Sequence, residues 1–137
     1  MEMACVPRRL AARSAVWLLA LAVGACSANK PEVCQQMDQL KVTTRQVTNM
    51  NVAAGGIDAL SQALSQVKPK LQSVVISAAS QFPTEVSDVQ ASMSLLQRRV
   101  SEAKASPTPA TLGEVKVALT NLHSSVEALA KAMDQTC

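Results

Sequence analysis

The sequence predicts an all-α protein: an antiparallel up-down-up-down four-helix bundle with a disulfide stapling its ends. Three observations lead there. Four segments after residue 30 carry apolar residues at alternating steps of three and four, which puts each set on one stripe of a helix. The alternation by two that a half-buried strand needs is absent from every segment. Cysteines stand near the start of the first segment, at Cys34, and at the last residue, Cys137.

The first segment, residues 31–52, carries Val33, Met37, Leu40, Thr44 and Val47. Pro31 suits the first helical position, where a missing N–H costs nothing. Ala53-Ala54-Gly55-Gly56 then breaks the pattern. The second segment, 56–80, carries Ile57, Leu60, Leu64, Val67, Leu71, Val74 and Ala78. Pro69 falls inside it and removes one backbone hydrogen bond. The apolar phase runs through from Val67 to Leu71 and puts Pro69 on the outer face, so the expectation is one kinked helix rather than two helices. Ser80-Gln81-Phe82-Pro83-Thr84 separates it from the third segment, 83–105, with Val86, Val89, Met93, Leu96, Val100 and Ala103. Arg98, Arg99 and Lys104 fall towards its end, where cations favour the helix dipole. Ser106-Pro107-Thr108-Pro109 precedes the fourth segment, 109–136, with Leu112, Val115, Leu119, Leu122, Val126, Leu129 and Met133. Thr111-Leu112-Gly113-Glu114 has capping-box spacing and offers Thr111 as its start. The connections are short, which makes consecutive helices antiparallel neighbours.

The two cysteines test the helix count. In a four-helix up-down bundle the start of the first helix and the end of the last lie at one end. Three helices would separate them by on the order of 35 Å, whereas a disulfide tolerates about 4.4–6.8 Å between Cα atoms. Four helices and a Cys34–Cys137 bond therefore predict each other.

The first 25 residues have a different character. Arg8, Arg9 and Arg13 form a basic stretch, 15–23 form an apolar one, and Val23-Gly24-Ala25-Cys26-Ser27 closes it. This is the layout of a secretory signal. The apolar run stops short of the roughly 20 residues that span a bilayer. The residues around Arg8-Arg9 give a twin-arginine signal no support.

Val23, Gly24, Ala25 and Cys26 resemble the lipobox of bacterial lipoproteins, in which cleavage precedes the cysteine and its thiol takes a diacylglyceryl group. The resemblance implies cleavage between Ala25 and Cys26, lipidation of Cys26, and residence on the extracytoplasmic face of a bacterial cell membrane. In a two-membrane cell Ser27 is compatible with transfer to the outer membrane. Ordinary cleavage near Ala25 without a lipid is the competing reading. Cysteine arithmetic favours the lipid. Cys5 leaves with the leader, so Cys26, Cys34 and Cys137 remain, and an odd cysteine in an oxidising compartment needs an explanation. Lipidation of Cys26 supplies one and leaves Cys34 and Cys137 to pair. The organisation expected is thus a leader over 1–25, a lipidated tether over 26–30 and the bundle over 31–137.

Charge and composition then narrow the function. The leader takes three arginines and Glu2, so the net charge of +3 falls to +1 over the remaining 112 residues. Trp17 goes too, leaving Phe82 as the one aromatic side chain. Neither a basic surface nor a stacking platform for nucleic acid remains. The tether reaches at most about 25 Å from Cys26 to Val33, which keeps the disulfide end and the second connection near the bilayer and the first and third connections away from it.

Catalytic and metal chemistry find little footing. His123 is the single histidine; beside Leu122, it reads as an edge-of-core residue rather than a metal ligand, and one histidine makes any triad an accident of counting. Met37, Met50, Met93 and Met133 are spread over different segments and read as packing, not as copper ligands. Arg98-Arg99 reads as a solvated pair, and the carboxylates as solvated faces. No cofactor, metal site or catalytic residue is expected. The region after the leader also resembles a loose group of small exported actinobacterial helical proteins, through Cys34, Cys137 and the helix start Gly56-Ile57-Asp58-Ala59-Leu60. That resemblance implies no activity. The expectation is a non-enzymatic, lipid-anchored envelope protein that binds, adapts or supports an envelope protein; the alternative is a carrier holding a lipid or other apolar ligand inside the bundle.

Overall fold

The computed structural model describes residues 31–52 and 56–137. The expected leader, its cleavage site at Ala25–Cys26, Cys26 as the expected lipidation site and the expected tether lie outside the described residues. Four helices make up the described chain: α1 Glu32–Thr48, α2 Ile57–Ala78, α3 Pro83–Ala105 and α4 Pro109–Met133, with no strand among the described residues.

The expected stripes are the buried faces. All six residues named for α3 are buried, as are six of the seven named for α2, where Ile57 is half-buried. Two stripes are corrected at their ends. On α1 the first buried position is Cys34, not Val33, because the disulfide draws that edge inward. On α4, Leu112 is half-buried and Ala118 and Ala130 join the buried set. Alanines are readily missed in a pattern sought among large side chains, yet they let neighbouring backbones approach. The aliphatic residues form one core, with Met50, Val52, Phe82 and Leu95 packed against its margins.

The backbone of α1 runs beside α2 and α4, and that of α3 beside α2 and α4; among the described residues the Cα atoms of α1 and α3, and of α2 and α4, do not come within 8 Å of each other. α3 and α4 lie closest, and α2 and α3 are the loosest neighbours. Cross-links mark the register: Arg45 to Glu127 at 2.9 Å, Lys70 to the Thr43 hydroxyl at 3.0 Å, Lys104 to Asp58 at 3.1 Å and Ser92 to Ser125 at 2.8 Å. Cys34 and Cys137 form the expected disulfide, with Cα atoms 5.9 Å apart.

Several boundaries differ from expectation. α1 stops at Thr48 rather than 52. The amides of Asn49 and Met50 turn back to Arg45 and Val47, and the chain leaves the helix so that Met50 and Val52 can tuck against the core. Pro31 precedes α1 as its cap instead of filling the first turn. α4 begins at Pro109, and Thr111 is not its cap. The capping box is Thr108-Pro109-Ala110-Thr111: the Thr111 amide donates to the Thr108 hydroxyl at 3.2 Å, and the Thr108 amide donates to the Thr111 hydroxyl at 3.0 Å. α4 ends at Met133, not 136. The amides of Thr136 and Cys137 fold back on the Met133 carbonyl, which brings the last residue to Cys34.

Pro69 lies within a single α2 on its exposed side, so the helix continues past it with one bond missing from the ladder. The α1–α2 connection needs Gly56: a Cβ there would collide with the Asn51 carbonyl oxygen.

Candidate functional site: a polar groove between α2 and α3

The residue after each stripe position lies 100° round the helix. On α2 that edge reads Asp58, Ser61, Ser65, Lys68, Gln72 and Val75; on α3 it reads Ser87, Gln90, Ser94, Gln97, Ser101 and Lys104. These two edges face each other where the helices are most loosely joined. They enclose two open hollows of about 420 and 350 Å³ that share Lys68 and Gln97 and so form one trough. Leu64, Leu71, Met93 and Val100 make its floor, and each is 5–6% exposed. The walls are hydroxyls, amides and two ammonium groups, and the one carboxylate on these edges is Asp58, which pairs with Lys104 at 3.1 Å.

Hydrogen bonding gives the walls a polarity. The hydroxyls of Ser65, Ser94 and Ser101 donate to the carbonyls of Ser61, Gln90 and Gln97, four residues back. Each serine proton is held by its own helix, and the oxygen offers the trough its lone pairs. Lys68 has no ion-pair partner among the described residues. Lys104 holds Asp58, whose side chain is 75% exposed, a kind of pair that is worth well under ~1 kcal/mol. The trough therefore accepts through its serines, does both through its glutamines, and presents positive charge at Lys68 and Lys104.

Two further charged groups on the surface are held locally. Arg99 bridges Glu102 at 2.8 Å and Glu114 at 3.1 Å; the hydrogen bond to Glu102 leads the causes that hold its guanidinium further above the ordinary arginine range, followed by the charges of Glu102 and Glu114. The hydrogen bond from Arg45 holds the Glu127 carboxyl below the ordinary glutamate range, with partial burial opposing it. A hollow at Met50, Val52, Leu112 and Lys116 adjoins residues 53–55, which lie outside the described chain.

The residues singled out from the sequence fall apart in space. His123 is half-buried beside Leu122, and its Nδ1 is buried without a hydrogen-bond partner. Met37, Met93 and Met133 are core residues, and Met50 is half-buried against them. Arg98 is exposed. Among the described residues no group of three histidine, cysteine or carboxylate side chains is placed to hold a metal. No described helix is long and apolar enough to cross a membrane. Cys34 and Cys137, the two sequence-selected site residues that are described, meet in the disulfide. The trough went unnoticed in the sequence, although its signal is there: polar residues repeat at the same three-and-four spacing as the core, one residue later. Comparison with protein-family models, with curated proteins and with solved structures returned no match.

Proposed function

We propose that the chain is a lipid-anchored protein of the bacterial cell envelope, exported by its leader, cut before Cys26 and held on the extracytoplasmic face. It acts there as a non-enzymatic binding or adaptor module. The observation that carries this reading is the Cys34–Cys137 bond. It consumes two of the three cysteines left after the leader and leaves Cys26 as the odd thiol that lipidation explains. A disulfide also fits an oxidising compartment.

In this reading the helices form an antiparallel up-down-up-down bundle whose stapled end faces the bilayer. The falling register of Cys34 with Cys137 and Arg45 with Glu127 supports opposite directions for α1 and α4. Ser92 with Ser125 and Arg99 with Glu114 support the same for α3 and α4. The buried aliphatic stripes favour a binding module over the carrier, whose ligand would need room among side chains that instead pack against one another.

The test is mass spectrometry of the protein extracted from membranes, with and without reductant. We expect a chain beginning at an acylated Cys26, and no alkylatable thiol at Cys34 or Cys137 until reductant is added. A chain beginning at Cys26 or Ser27 with no acyl mass would remove the anchor.

A further inference from the structure

We propose that the α2–α3 trough binds a linear polyanion that also carries hydroxyl groups, a polyol phosphate being the simplest case; this rests on the reading of the chain as an envelope binding module. Three features of the trough select that chemistry. Its shape is open and elongated. By helix rise the ten residues from Asp58, which holds Lys104, to Lys68 cover about 15 Å, so the two cations suit successive charges along a chain better than one compact ion.

Its walls ask for both kinds of partner. Lys68 and Lys104 call for anionic oxygens: Lys68 has no carboxylate partner among the described residues, and Lys104 holds Asp58 in an exposed pair that a ligand anion can displace. The serine oxygens have already given their protons to Ser61, Gln90 and Gln97, so what approaches them must donate. A ligand hydroxyl does that. A bare polyanion meets three serine lone pairs and gains nothing there.

Its floor excludes the apolar alternatives. Leu64, Leu71, Met93 and Val100 expose too little surface for an acyl chain or the apolar face of a helix to bury much against them. The trough also lacks the aromatic faces on which nucleic-acid bases stack.

Charge places the trough's partner away from the anchor. In the proposed topology the turns nearest the disulfide carry Glu32, Asp38, Glu85, Asp88 and Asp134, with Lys131 as their local cation. The turns at the far end carry Arg45, Arg98, Arg99, Lys104 and Lys116 against Asp58, Glu102 and Glu114, so cations are in excess there. Only folding produces this division, because the acids come from both ends of the described chain and its middle. An anionic bilayer repels the stapled end, and an anionic polymer beyond the bilayer meets the end that attracts it. A membrane headgroup offers the same glycerol phosphate chemistry on a flat surface, and the trough is concave.

Isothermal titration with the purified full chain in neutral detergent separates these possibilities. The probes are poly(glycerol phosphate), polyphosphate, neutral dextran and phosphatidylglycerol vesicles. We expect poly(glycerol phosphate) to bind several-fold more tightly than polyphosphate or dextran, with affinity falling as salt rises. K68Q/K104Q should weaken it by roughly tenfold and flatten the salt dependence. S65A/S101A should erase the preference over polyphosphate, while the charge-matched K70Q/K131Q, away from the trough, should bind like the parent. Circular dichroism checks that each variant is folded. Equal affinity for polyphosphate, unchanged binding by K68Q/K104Q, or binding to vesicles alone would each overturn the proposal. None of these results bears on whether Cys26 is acylated, so the anchor and the ligand fail separately.

Discussion

Replacing Cys137 with alanine tests the staple with little disturbance to the native packing. Cys137 is exposed and Cys34 is 2% exposed, so the change leaves the buried partner in place as a thiol. The bond joins residues separated by 103 positions. For a loop of that size the chain-entropy model gives about 4.7 kcal/mol of stabilisation, exerted on the unfolded chain. The fold has reason to need it. Its core is aliphatic, with Phe82 only at the margin, and domains of about 100 residues have total stabilities of only ~5–15 kcal/mol. Guanidinium unfolding followed by circular dichroism at 222 nm is the suitable assay, since residues 26–137 carry no tryptophan to report. We expect Cys137→Ala to lose about 4–5 kcal/mol, to lower Tm by roughly 20 °C, and to match the reduced wild-type chain. The unfolded variant should also be more expanded and the m-value larger. A loss below ~1 kcal/mol, in the variant and in the reduced parent alike, would refute the argument that loop closure across the whole bundle stabilises the fold.

Four further outcomes follow from single residues. Pro69→Ala should raise stability by about 1–2 kcal/mol: it restores an amide hydrogen bond inside α2 and relieves the ring's clash, together worth up to ~3 kcal/mol, less the unfolded-state entropy that proline removed; equal or lower stability in the same unfolding assay counts against it. Gly113→Ala should gain up to about 1 kcal/mol, because a Cβ there meets no atom within 4 Å and glycine is a poor residue inside α4. Thr44→Val should gain about 1 kcal/mol in chemical unfolding, since the Thr44 side chain is 1% exposed and its hydroxyl has no hydrogen-bond partner. The Glu127 carboxyl, held low by the Arg45 hydrogen bond, contributes stability above the ordinary glutamate pKa, and that stability is lost as pH falls through its lower folded value. Carbon-detected NMR titration should show Glu127 returning to the ordinary range in Arg45→Gln, with a shallower loss of stability in acid; an unchanged Glu127 titration would argue against the pair.

Sequence and tertiary structure divided the work along a physical line. Local periodicity was legible because a helix samples its own sequence every 3.6 residues. The α3 stripe from Val86 to Ala103 could be read entire, and Pro69 could be placed inside one helix by the unbroken phase across it. The pairing of Cys34 with Cys137 was legible too, since bond length and helix length together leave few arrangements. The helix ends were less so. α1 stops at Thr48 because Met50 and Val52 gain more from the core than from another helical turn, and that gain exists only once the other helices are present. The capping box moved from Thr111 to Thr108 for a related reason: several residues there can cap, and the hydrogen bonds that Thr111 donates to the Thr108 hydroxyl and the Ser106 carbonyl select one.

What the sequence by itself determined is the helix count, the buried stripes and the one cysteine pair, all set by short-range spacing and covalent reach. Only the tertiary structure decided that α2 and α3 part while α3 and α4 close. That separation turns two rows of serine, glutamine and lysine, unremarked along the chain, into the facing walls of one trough. Whether a polar edge meets water or another edge depends on how two consecutive helices come to lie, which no local spacing specifies.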